Sequence, residues 1–167
     1  MRHFDTKQLT LAAILAAVYA ALTLCLPSYT PIQIRLSEAL TVLPFLFPAA
    51  TPGVIVGCFV ANLLSPYGVI DVVCGTLATA LAALLTARMP SKWLAPLPPV
   101  LCNAAIVGGM QAWYEAGFGP NFPALYAMNA FTVGLGELVS CSGLGLDILT
   151  VLPRIPYLRG RMAPQRL

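Results

Sequence analysis

With 167 residues, of which 59% are hydrophobic and only 9% charged, the chain falls far below the roughly 25% charged content of a soluble domain. Its net charge of +3 comes without a basic patch interleaved with a stacking surface, which argues against nucleic-acid binding. One domain spanning 1–167 is expected at this length, and its apolar surface calls for a lipid bilayer.

Lys and Arg are few and grouped: Arg2 with Lys7, Arg88 with Lys92, and Arg154, Arg159, Arg161 and Arg166 near the end, with Arg35 alone. Positive charge near span ends is retained in the cytoplasm. The grouping therefore predicts a multi-pass cell-membrane protein with both termini cytoplasmic.

In chain order, Asp5 and Gln8 have capping-box spacing, so a first helix is expected from Thr6 to Leu26, stopped by Pro27. It is longer than the roughly 7–15 apolar residues of a secretory signal and is expected to stay attached. Pro27 to Pro31 reads as an outer loop. From Ala39 to Ile70 no charge occurs, and Pro48 and Pro52 suggest a cytoplasmic turn between two short spans, Leu36–Pro48 and Gly53–Leu64. Spans so short point to backbone that is tilted or packed inside protein.

An outer turn at Ser65–Gly68 leads to a fourth span, Ile70–Arg88, and Met89–Pro99 reads as a cytoplasmic loop. Val100–Glu115 is the fifth span, Ala116–Pro123 an outer loop, and Ala124–Leu152 the sixth span. Six crossings return the chain to its starting side, in agreement with the basic groups. Cys25, Cys58, Cys74, Cys102 and Cys141 all lie in apolar stretches without metal spacing and read as small buried hydrophobes.

The first span carries two small-residue rows, Ala12, Ala16, Ala20 and Ala13, Ala17, Ala21. Such rows permit close helix approach, either inside the protein or against a partner membrane subunit. Glu38, Asp71, Glu115 and Glu137 are expected toward the outer ends or outer halves of the spans, where ionisable groups mark a substrate path. Arg35 and Glu38 either pair with each other or meet substrate; Asp71 either caps a helix or does the same. Glu137, next to Gly134 and Gly136 and deep in the last span, is the carboxylate most suited to a ligand. Asn103 suits interhelix hydrogen bonding. Trp113, Tyr114 and Phe118 beside Glu115 form an interface belt or stack on a planar ring. Walker, nucleophile-elbow and metal-ligand patterns are missing, so no catalytic residue, metal or cofactor is expected, and any transport energy must come from elsewhere.

The string Arg35-Leu36-Ser37-Glu38-Ala39-Leu40-Thr41-Val42-Leu43-Pro44-Phe45, then Pro52-Gly53, Gly57-Cys58, Ala61-Asn62, the run Asp71 to Thr79, and Gly136-Glu137-Leu138 resemble the QueT family along nearly the whole chain. QueT proteins are substrate-binding, or S, components of energy-coupling factor (ECF) transporters for queuosine precursors. The resemblance implies an all-α membrane protein with six transmembrane helices, binding substrate at its outer side. It also implies association with a membrane coupling subunit and two cytoplasmic ATPases, for which the alanine rows look like the contact motif.

The implied ligands are 7-deazaguanines such as queuine or 7-aminomethyl-7-deazaguanine. A carboxylate can accept the adjacent N–H and NH2 of their guanine-like edge. Glu137 is expected in that role, with aromatic side chains on the ring faces and Glu38 or Asp71 at the cationic amine. Alternatives are an S component for a flavin, thiamine or another vitamin, because fold does not set function, or an assembly subunit with no ligand.

Overall fold

Proline and glycine placement divides the chain into helices much as expected, and the computed structural model describes residues 5–25, 34–159 and 162–163. The elements are α1 (Thr6–Cys25), a 3-10 segment (Leu36–Phe45), α2 (Ala50–Asn62), α3 (Val69–Thr86), α4 (Leu97–Ala116) and α5 (Phe122–Leu138). Helix α5 continues through a π-helical segment (Val139–Gly145) into α6 (Leu146–Val151). No strand occurs among the described residues. Thr6–Cys25, Val69–Thr86 and the 33-residue run Phe122–Arg154 are long and apolar enough to cross a membrane. The expected outer loop at Pro27–Pro31, with Arg2, Arg161 and Arg166, lies outside the described residues.

Helix α1 starts where the capping box predicts: the Asp5 backbone N–H donates to Gln8 Oε1 at 3.3 Å. Three boundaries differ from expectation. Pro52 lies inside the first turn of α2, which begins at Ala50, and α4 begins at Leu97 with Pro98 and Pro99 in its first turn. Helix α5 likewise begins at Phe122, ahead of Pro123. A proline there removes an N–H that has no intrahelical partner anyway, so it starts a helix rather than ending one.

The second crossing is not an α-helix. Leu36–Phe45 is a 10-residue 3-10 helix containing Pro44, and most of it is buried. At about 2.0 Å rise per residue, ten residues reach about 20 Å, where an α-helix would reach about 15 Å. Protein rather than lipid surrounds this poorer hydrogen-bond geometry, the condition for irregular backbone at membrane depth.

Close backbone contacts set the helix directions. A Cβ on Gly53 would stand 2.5 Å from Ala12 O, and one on Gly57 2.8 Å from Ala16 O. Both partners advance by four residues together, so α1 and α2 are parallel and the 3-10 segment runs back between them. Gly108 packs on Ala130 and Gly134 beside Ala104; here one partner advances while the other retreats, so α4 and α5 are antiparallel. The six crossings leave the start of α1 and the end of α6 at the same end of the bundle. There Leu46, Phe47, Ala95 and Met162 form one cluster, and the Ala163 N–H donates to Leu46 O at 2.9 Å. The α2–α3 and α4–α5 turns mark the opposite end.

Candidate functional site

The α4–α5 ladder that brings Gly108 to Ala130 and Ala104 to Gly134 also aligns Asn103 with Glu137. Asn103 Nδ2 donates to Glu137 Oε1 at 2.9 Å, and both residues are buried. This is the interhelix bond expected of Asn103, with a site carboxylate as its partner. Glu137 lies near the middle of the Phe122–Arg154 run, which continues unbroken through the π-helical segment.

That segment begins two residues beyond Glu137, and π turns inside helices often accompany functional sites. It packs on the 3-10 segment: Gly145 lies against Val42, and Cys141 Sγ is 3.3 Å from Glu38 O and 3.6 Å from Glu137 Oε2. Thr41 Oγ1 lies 3.6 Å from the same sulfur. Cys141 thus contacts both the Glu38 backbone carbonyl and the Glu137 carboxylate.

Glu38, only 2% exposed, accepts a short hydrogen bond from the Tyr19 hydroxyl of α1. Thr23, one turn further along α1, donates to Ser37 Oγ at 2.8 Å. Asp71, 1% exposed, accepts from Ser65 in the α2–α3 turn. Its backbone carbonyl accepts from Asn62 Nδ2 at 3.2 Å. Asp71 is therefore more than a helix cap, for its carboxylate is buried inside the bundle. Arg35 stands within electrostatic range of Glu38, Asp71 and Glu137. Glu38 and Asp71 each lie three residues into segments that start from the turn end of the bundle, and Glu137 lies at mid-depth.

A small cavity is lined by Arg35, Asn103, Val107, Val133 and Glu137. It has a volume of about 10 Å3, close to the least that holds one water. Among the described residues, no cluster of three or more metal-ligating side chains occurs.

The remaining expected site residues lie apart. Trp113, Tyr114 and Phe118 are 41%, 54% and 83% exposed, and Glu115 is exposed, accepting from Asn129 Nδ2 at 3.3 Å. Tyr67 links the two groups: its ring meets that of Tyr114 edge-on at 5.2 Å, and its backbone N–H donates to Ser65 Oγ at 3.3 Å. Partial burial, then the Glu115 and Asp71 carboxylates, push the Tyr67 hydroxyl above the usual tyrosine range, so it remains a neutral donor.

Sequence reasoning passed over Tyr19, Asn62, Ser65, Tyr67 and Cys141 as site residues. Tyr19 and Asn62 carried a signal, each being a hydrogen-bonding side chain in an apolar helix. The two alanine rows of α1 separate: Ala12 and Ala16 face α2, with Ala12 buried and Ala16 and Ala20 half-buried, whereas Ala13, Ala17 and Ala21 are exposed. An apolar groove between the helices is lined by Ala13, Ala16, Pro52 and Val56 among others. Of the cysteines, Cys58 and Cys141 are buried as expected, Cys74 and Cys102 partly so, and Cys25 is exposed near the end of α1.

A queuosine precursor transporter QueT from Lactococcus lactis subsp. cremoris (strain MG1363) is 37% identical over 83 residues. The aligned stretch covers 47% of this chain and 48% of that protein, about half of each. No solved structure matches the chain. The QueT transporter family matches over residues 9–154, a range that takes in Tyr19, the Arg35–Glu38 string, Asp71, Asn103 and Glu137. With that match over most of a six-crossing, apolar helical chain, the protein belongs to the QueT transporter family, whose members are membrane transporters rather than enzymes.

Proposed function

We propose that this protein is the S component of an ECF transporter and binds a queuosine precursor, a 7-deazaguanine such as queuine or 7-aminomethyl-7-deazaguanine. Glu137 carries this reading: it is buried, oriented by Asn103 and lines a cavity beside Arg35. A carboxylate at this depth needs donors, and a guanine-like edge offers an N–H and an NH2 side by side. Asn103 occupies one lone pair of Oε1, and an ionised carboxylate has about four acceptor sites, so acceptors remain for both ligand donors.

The cavity is too small for a bicyclic ring. Helices α4 and α5 are locked by backbone contact at Gly108, so room for the ligand comes from Arg35 and the leading end of the 3-10 segment. The turn end of the bundle faces outward in this reading and both termini are cytoplasmic, consistent with Arg88, Lys92 and Arg154 near the other end. Uptake is driven by two ATPases through a coupling subunit that docks on the exposed row Ala13, Ala17 and Ala21 and the groove beside it.

Calorimetric titration of detergent-purified Glu137→Gln with 7-aminomethyl-7-deazaguanine tests the site. The substitution sets an NH2 against a ligand donor. Loss of one charge-assisted hydrogen bond, about 1.5–3 kcal/mol, predicts roughly 10- to 150-fold weaker binding. Affinity within about twofold of wild type, with an unchanged melting transition, would remove Glu137 from the site.

A further inference from the structure

We propose that Glu38 Oε2 and Asp71 Oδ1 together form an ammonium subsite, so that the protein selects 7-deazaguanines bearing a protonated aminomethyl group over neutral ones. The proposal rests on the 7-deazaguanine reading above and adds to it the chemistry of the substituent.

Both oxygens are buried and lack a hydrogen-bond partner, while their sister oxygens are held by Tyr19 and Ser65. Each held oxygen stops its carboxylate from rotating, which fixes where the free one stands. A Cβ on Gly75 would come 2.5 Å from Asn62 Nδ2 and 3.0 Å from Asp71 Oδ1, so glycine at that position lets both polar side chains lie against the α3 backbone. Glu38 and Asp71 lie within electrostatic range of each other, and both lie within range of Arg35.

An unpartnered buried carboxylate oxygen is costly, and here two of them belong to different side chains in one polar cluster. One guanidinium within range of Glu38, Asp71 and Glu137 leaves the cluster short of positive charge. An ammonium group supplies both needs, since it carries a compact positive charge and three donors that can diverge to separate acceptors. A nitrile at the same place on the ring offers only an acceptor, which would face two more acceptors.

The test is calorimetric titration of the full chain in detergent with two ligands of nearly equal size, 7-aminomethyl-7-deazaguanine and its neutral analogue 7-cyano-7-deazaguanine. Wild type is expected to favour the amine by about 10-fold or more. Asp71→Asn and Glu38→Gln are each expected to weaken amine binding by about 10-fold and to leave nitrile binding intact or tighter, because the new amide NH2 can donate to the nitrile nitrogen. Retained nitrile binding also shows that each variant is folded, and the second variant serves if the first does not fold. Equal wild-type affinity for the two ligands overturns the ammonium subsite alone, as does equal loss of both ligands in folded variants. Binding of neither ligand to wild type overturns the 7-deazaguanine reading, and the subsite falls with it.

Discussion

The α1–α2 seam and the contact between the 3-10 and π-helical segments both join a pair of helical elements, by opposite means. In the seam, Gly53 and Gly57 bring backbone against the Ala12 and Ala16 backbone. In the other contact, Glu38, Thr41, Cys141 and Glu137 meet through side-chain and carbonyl groups. The seam gains from dispersion at short range. The irregular contact leaves polar atoms over: Ser140 Oγ and Glu38 Oε2 are buried there without partners. At about 1–3 kcal/mol for each such group, the second contact is the less stable, and it is also the one equipped to bind something.

Gly53→Leu breaks the comparison from the apolar side with the largest expected effect. Its side chain would meet backbone of Ala12, which cannot turn aside, so about 3 kcal/mol or more of stability is lost. Thermal unfolding in detergent should show a lowered or absent transition. A variant melting like wild type would mean that the helices part easily at the seam.

Ala17→Leu sharpens it on the other face of the same helix. Ala17 is exposed, so folding and ligand binding should persist while copurification with the coupling subunit and ATPases is lost. Intact complex formation would take the exposed row out of the docking surface.

Asn103→Ala probes the polar side and carries the smallest effect of the three. Glu137 Oε1 loses its protein donor, at a cost of about 1–3 kcal/mol. Chemical denaturation should record a shifted midpoint with an unchanged slope. No shift would mean that Glu137 finds another donor without rearrangement.

Much of the fold was legible because its determinants are local. Hydropathy marked the crossings, prolines and glycines marked the turns, and the Asp5–Gln8 pair marked the start of α1. Helix starts at Pro52, Pro98 and Pro123 were misread by a few residues, since a proline is compatible with both the end of one helix and the first turn of the next. The candidate site was legible in part: Arg35, Glu38, Asp71 and Glu137 stood out because charge is rare in an apolar chain. Glu115 with Trp113, Tyr114 and Phe118 stood out equally, yet lies exposed at the bundle's end.

Composition, charge grouping and turn residues were sufficient by themselves to specify an all-helical chain of six crossings with a few costly carboxylates, because membrane solvation acts on each segment almost independently. Tertiary structure alone decided that the second crossing is a 3-10 helix, that Asn103 meets Glu137, that Tyr19 meets Glu38, and that only one alanine row remains exposed. Those outcomes depend on helix rotation and register, which are set where residues distant in sequence, such as Gly57 and Ala16 or Gly108 and Ala130, come into contact.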